Sequence, residues 1–551
     1  MITQVELENI RIFEGSEWKF SFPLLSCYCG TNSSGKSTIL KSLLLLRQSQ
    51  GIREGQGAAP GWLRFIGSQV DLGNYKSFVS RNANSRDIQI GVTIEDRMPQ
   101  MYFQLFRSLA TPGVQSDKKD VFAEASGEEF VKYKLRARFK FGAKLTQENV
   151  SPIPEILKVD GETDAVMPFA KRGLLKEASY EIIVDDITLL TWRIAASTSS
   201  ASVTGKSKTL RYDIFIPKTY MLLAGRYMRM DMEGAEEGTD VKFQTTLQGL
   251  LPASIIAKLK PEKGKAHTEP AKEQWVTWPL PQHIQEAMTD FRKAFFDINY
   301  LAPLRAAAKR YYGAPMDVSP ELDPSGEFLP YVLQENGQVK VRHVRPGQSE
   351  VTNKDTLSVA LNDWLHYIRT GVPFAGESET QEIELPNIEN VFLEFKLRSI
   401  RGSRSHALAD SGFGYSQLLP ILVRGLLASP GSTLIIEQPE LHLNPSLQVR
   451  LAEFFLAMVR AKKQVIIETH SEHIVNALRV LIAEDESGEL AKNCGIYFLD
   501  TESAIPQMHE LSIGKDGTVP EWPKSFFGEA IELTGRLLRA QKRFRHPPQT
   551  E

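Results

Sequence analysis

The sequence predicts an α/β protein: a phosphate-binding head on a parallel sheet, interrupted by a long compact α+β insertion and followed by a short C-terminal extension. Three observations carry that prediction. Residues 24–40, LLSCYCGTNSSGKSTIL, place Gly30, four residues, then Gly35, Lys36 and Ser37 between an apolar run and a helix-forming run. Two later apolar runs, TLIIE at 433–437 and QVIIE at 464–468, each end on a glutamate. Lys36 and Ser411 lie 375 positions apart (411 − 36), and the stretch between them shows no sustained heptad repeat that would make a long arm.

In chain order, MITQVELENIRIF alternates apolar residues but lacks the basic start and long apolar core of a signal peptide. Leu24 to Cys29 reads as a buried strand and Thr38 to Gln48 as a helix, the context in which a glycine-rich loop curls its backbone N–H groups round phosphates. Gly30, Asn32, Ser33, Ser34, Gly35, Lys36, Ser37 and Thr38 are therefore the candidate ATP-binding residues. Lys36 supplies a point charge for the β and γ phosphates, the Ser37 hydroxyl is placed for Mg²⁺, and the helix N-terminus favours negative charge.

Through the insertion, DIQIGVTI at 87–94, VKYKLRARFKF at 131–141, SYEIIV at 179–184 and TLRYDIFI at 209–216 read as antiparallel strands. A more helical part is expected from roughly Gln282 to Tyr312, a further helix over Leu357–Ile368, and an alternating run at 391–400. Polar stretches at 111–128, 261–274 and 313–326 read as surface connections. The expected blocks are an N-terminal lobe at 1–110, the insertion at 111–390, partly contributing to the head, a C-terminal lobe at 391–500 and an extension at 501–551.

Composition narrows the function classes. Lys plus Arg total 65 against 67 Asp plus Glu, a formal net charge of −2, so no global field draws the chain to nucleic acid or anionic membrane. The three cysteines, Cys27, Cys29 and Cys494, make neither a disulfide framework nor a zinc spacing. Apolar runs such as LLLL at 43–46 are too short to span a bilayer, and a cytoplasmic protein is expected.

At TLIIEQPELHLNP and ETHSEHI the chain resembles the ABC-type ATPases. That resemblance implies Glu437 on the Mg²⁺ side, Gln438 where a catalytic glutamate is usual, Leu443-Asn444-Pro445 as the following loop and His470 as a γ-phosphate sensor. Glutamine cannot serve as a carboxylate base, although it can orient water. Gln438, Glu440 and His470 are the candidate catalytic residues, with the base left open among them. DSGFGYSQLLP at 410–420 resembles a loose signature segment, with Ser411, Gly412, Gly414 and Ser416 as candidates to touch ATP held by another subunit. The resemblance thus implies a head-to-tail homodimer or higher oligomer with Mg²⁺ and ATP.

Together with VELENIRIFEG, NYLAPLRAAAKRYY and DGTVPEWPKSFFGEA, these motifs resemble the OLD-like ATPases of prokaryotic antiphage systems, including the ATPase subunit of Septu-type modules. About 81 residues follow His470 and YFLD at 497–500 is a lone acidic strand end, so no Toprim nuclease is expected in this chain, and the resemblance implies a separate HNH-type nuclease or other effector as partner. A RecF-like DNA-clamping ATPase is the alternative. Basic stretches at 340–345, 398–406 and 536–546 are candidate nucleic-acid or partner contacts, each weighed against a solvated face. Trp522, Pro523, Phe526 and Phe527 read as core before docking surface. Arg305 and Arg310 are weighed between ATP or partner contacts and a solvated helix face.

Overall fold

The computed structural model describes residues 1–16, 18–50, 60–83, 85–100, 103, 130–142, 173–197, 212–218, 240–258, 275–313, 323–374, 383–388, 392–398, 404–501, 506–520 and 528–545. Internal packing divides the chain into two units, Met1–Ser21 with Thr38–Phe296, and Phe22–Ser37 with Asp297–Glu551. The phosphate-loop segment therefore belongs with the second half of the sequence.

The strands up to the boundary are β1 (Ile2–Glu8), β2 (Trp18–Ser21), β3 (Leu25–Gly30), β4 (Ile88–Pro99), β5 (Phe130–Gly142), β6 (Leu174–Val184), β7 (Ile187–Ala196), β8 (Tyr212–Pro217), β9 (Asp240–Gln248), β10 (Leu251–Lys258) and β11 (Trp275–Pro279). All but β3 form the sheet of the first unit, in the order β11-β10-β9-β8-β7-β6-β5-β4-β1-β2, every pairing antiparallel. The period-2 pattern explains it. In β5, Leu135, Ala137, Phe139 and Phe141 face the core, while Arg136 and Arg138 face the other way and pair with Glu6 of β1 and Glu181 of β6. Helix α2 (Gln282–Phe296), which follows α1 (Lys36–Ser49) in chain order, buries Ile284, Ala287, Met288, Phe291 and Phe295, with Phe291 5.9 Å from Phe139.

The expected helix from 282 to 312 ends at Phe296. Ile298–Leu301, β12, is instead a parallel strand in the sheet of the second unit, and Tyr311–Gly313 is a short strand. A short β-branched and aromatic run, INYL, followed by Pro303 favours strand over continued helix. The strands read at 87–94, 131–141 and 179–184 are present, as is the 357–368 helix, now α4 (Leu357–Thr370) after α3 (Leu329–Asn336). The stretches 111–128 and 261–274, most of 313–326, and Trp522, Pro523, Phe526 and Phe527 lie outside the described residues.

The second unit is built on β13 (Thr433–Glu437), β14 (Gln464–Glu468), β15 (Cys494–Asp500) and β16 (Gln507–Leu511), in the order β12-β13-β14-β3-β15-β16. All pairings are parallel except the edge pair β15-β16. Strands β13 and β14 are buried along their whole length, the condition of a sheet covered on both faces. Around them lie α5 (Phe413–Leu427), α6 (Pro445–Arg460), capped by Asn444, and α7 (Glu472–Ala483), capped by Ser471. Trp364 of α4 meets Phe454 of α6 edge-on at 5.0 Å. In the basic stretch at 340–345, Lys340 and Arg342 are exposed, whereas His343 is fully buried and both it and Arg345 are bound to Asp355. The final helix, α8 (Gly528–Arg545), exposes Leu533, Leu537 and Leu538 beside Arg536 and Arg539. No described helix is long and apolar enough to cross a membrane.

Candidate active site

Strand register builds the site. Glu437 ends β13 opposite Glu468, and Glu468 ends β14 opposite Tyr28 of β3. Two buried carboxylates therefore finish neighbouring strands at the carboxyl edge of the sheet, where the loop leaving β3 begins and where open α/β sheets bind ligands. Gly30 starts that loop at φ 138°, and a Cβ there would stand 1.9 Å from the Leu499 carbonyl of β15, so only glycine allows the approach.

Lys36 is buried with its Nζ folded back into the loop, donating to the carbonyls of Gly30 (3.1 Å) and Thr31 (2.6 Å) and to Ser34 Oγ (3.4 Å). Burial lowers its pKa and the nearby Glu468 carboxylate opposes that shift. Ser37 Oγ donates to Glu468 Oε1 at 2.8 Å. Asn32 and Ser33 are exposed, Gly35 is half-buried, and Thr38, buried in the first unit, accepts from Arg11.

On the acidic side, Tyr300 of β12 donates its hydroxyl to Glu437 Oε1 at 2.8 Å. Gln438 has a left-handed backbone, φ 45°, and its N–H donates to the Glu468 carbonyl at 2.7 Å. Glu440 accepts on both oxygens, from Thr469 Oγ1 and from the His470 backbone N–H, each at 2.7 Å. Partial burial and the positive Lys36 push the His470 pKa down. Gln448 of α6 accepts from Ser471 Oγ at 2.5 Å, tying the Leu443-Asn444-Pro445 turn to the His470 segment.

At the start of α5, Ser411 donates to the Ala407 carbonyl, Gly412 (φ 81°) is exposed with open space where a side chain would stand, and Gly414 backs on the His442 carbonyl. Ser416 is buried and its hydroxyl returns to the Phe413 carbonyl of its own helix at 2.7 Å. Phe413 is 44% exposed and its ring stands 4.6 Å from that of His442, so the outward position is aromatic.

Two roles in this cluster were not singled out from sequence, Glu468 as a partner of Ser37 and Tyr300 as a partner of Glu437, and Arg305 was noted without its backbone partners. The matching LIIE and VIIE endings carried a signal for Glu468. Arg305 is 3% exposed rather than on a solvated helix face, whereas Arg310 is exposed and paired with Asp410 beside Ser411. For a divalent ion, the Ser37 hydroxyl and the Glu437 and Glu468 carboxylates are hard oxygen donors of the kind Mg²⁺ uses, one or two carboxylates completed by substrate phosphates. They fit, and the direct Ser37–Glu468 contact adds Glu468 to the expected pair of Ser37 and Glu437.

Residues 368–475, from the end of α4 into α7, match the AAA ATPase domain family. No curated protein matches the chain. Among solved structures, the SMC head domain from Thermotoga maritima is 10% identical over 93% of this chain and 99% of its own, at a TM-score of 0.33. A Smc head bound to the C-winged helix domain of ScpA is 9% identical over 93% and 98%, at 0.37. The Smc head with an extended coiled coil bound to the C-terminal domain of ScpA from Pyrococcus furiosus is 9% identical over 97% and 99%, at 0.32. The family match falls on the strands that end in Glu437 and Glu468, beside a complete phosphate loop, and it makes this chain an ATPase built on a P-loop α/β head.

Proposed function

We propose that the chain is an ATP-operated switch that holds Mg²⁺ and ATP for long periods and hydrolyses slowly. One observation carries this reading: the residue after the Glu437 strand end is glutamine, and the next carboxylate, Glu440, already accepts from Thr469 and His470 on both oxygens. An attacking water needs a base to take its proton, and neither group is a free carboxylate. Gln438 orients the water instead. With nucleotide bound, Lys36 would leave the loop carbonyls for the β and γ phosphates, Ser37, Glu437 and Glu468 would hold Mg²⁺, which supplies charge neutralisation there, and Glu440 would keep the Thr469-His470 segment beside the γ phosphate. His470, with its pKa lowered, is neutral near pH 7 and meets that phosphate by hydrogen bonding. Ser411, Gly412 and Gly414 take the contact to ATP of a second subunit, and the inward Ser416 supports the start of α5.

The motif set supports placing this switch in antiphage defence, where the ATP-bound homodimer or higher oligomer controls a separate HNH-type nuclease or other effector. Single-turnover hydrolysis by the pure chain should be slow and should rise about 10²-fold in Gln438→Glu. Rapid hydrolysis by the unaltered chain, abolished in Lys36→Ala, would defeat the slow-switch reading. Copurification with the products of neighbouring genes should bring down a nuclease or toxin. Instead, salt-dependent DNA binding that strengthens with ATP and needs Arg401 or Arg404 would favour the RecF-like alternative.

A further inference from the structure

Arg305, in the segment that follows β12, is nearly fully buried, an expensive place for a cation. Its guanidinium donates to two consecutive carbonyls, Glu437 at 2.8 Å and Gln438 at 3.4 Å. Those carbonyls flank Gln438, a non-glycine residue in the left-handed region. That conformation is unfavourable for a side-chain-bearing residue and persists only where its surroundings over-determine it. The Gln438 N–H is fixed independently by the Glu468 carbonyl. Every peptide group around the glutamine is thus clamped, and Arg305 supplies the clamp on the carbonyl side.

The backbone of Arg305 is itself held from α5. The fully buried Gln417 accepts from the Arg305 N–H at 3.2 Å through Oε1 and donates to the Arg305 carbonyl at 3.1 Å through Nε2, a paired amide-to-peptide contact. Gln417 lies one turn into the helix whose exposed start holds Gly412 and Phe413. A continuous hydrogen-bonded path therefore runs from α5 through Gln417 and residue 305 to the peptide groups that aim the Gln438 side chain.

We propose that Arg305 is a positioning residue for ATP hydrolysis: it transmits the placement of α5, through Gln417, to the backbone of Gln438, and so sets the hydrolytic step without contributing to ATP affinity. Arginine is required because its planar fork spans two carbonyls; lysine carries the charge without that geometry. The proposal rests on the reading of Gln438 as the residue that orients water and is independent of any effector.

The test uses the full-length chain, with single-turnover hydrolysis of ATP measured beside ATP affinity by titration. Arg305→Ala and Gln417→Ala should each slow hydrolysis about tenfold to hundredfold while the Kd for ATP moves less than about threefold. The double variant should be no slower than the slower single variant, because both act on one segment. Arg305→Lys should stay slow, and it carries the test with Gln417→Ala if Arg305→Ala does not fold. Parallel loss of affinity, multiplying rate defects, or full activity in Arg305→Lys would each overturn the proposal.

Discussion

A tyrosine hydroxyl on Glu437, a serine hydroxyl on Glu468 and a peptide N–H on the Glu468 carbonyl fix three groups within one strand-end cluster. Hydrogen bonds to a buried carboxylate are the strong kind, so Tyr300→Phe should destabilise the chain by about 1.5–3 kcal/mol. Urea unfolding followed by circular dichroism should show a lower midpoint at unchanged slope; an unchanged midpoint would show that the contact adds nothing. The phosphate loop was legible in sequence because its chemistry is contiguous. The partners of Tyr300 and Arg305 were not, because they lie 137 and 132 positions away, and no local pattern marks a pairing at that distance. Ser416 shows the opposite error. A serine in the right stretch is drawn into its own helix because one turn back a carbonyl is the nearest acceptor.

Among elements, the strands with clean alternation were readable, while INYL at 298–301 was absorbed into a helix because short apolar runs do not separate the two periods. The termination of α5 was also hidden. Its last carbonyls, of Gly425 and Leu426, accept from Lys463 Nζ at 2.8 and 3.0 Å, so a buried lysine at the head of β14 caps the helix. Burial pushes that amine down to about 7 from 10.5. Below about pH 7 the folded protein carries the full cost of the buried charge. From there to about pH 10.5 the unfolded chain binds the extra proton, so stability gains as pH rises. Measured against Lys463→Met, the unaltered chain should therefore gain relative stability between about pH 7 and pH 10. A difference that stays flat in urea melts across that window would refute the assignment.

For the whole molecule, the two sheets are assembled on different principles. The ten-stranded sheet pairs mostly sequence neighbours, whereas the six-stranded sheet inserts β3 between β14 and β15, an order that hydrophobic patterning does not encode. Residues 368–475 contain β13 and β14 but neither β3 nor β12, the strands on their two flanks. Expressed alone, that segment should fail to give a cooperative unfolding transition, because both edges of a fully buried strand pair would lie open. A folded fragment with a sharp melt would show it to be autonomous. The same strand order explains why the fold class was readable from three motifs while the boundaries of the units were not.

The central position of β3 also has a consequence for the order of synthesis. Gln464 hydrogen-bonds to the carbonyl of Phe22, 442 positions earlier, and β3 takes its partners from β14 and β15. At about 5–20 residues per second, roughly 20–90 s pass between translation of the phosphate loop and the appearance of the strands that flank it. Until then the apolar LSCYC segment waits without its sheet neighbours. A nascent chain thus has no completed sheet around its phosphate loop until residues 464–500 have been made.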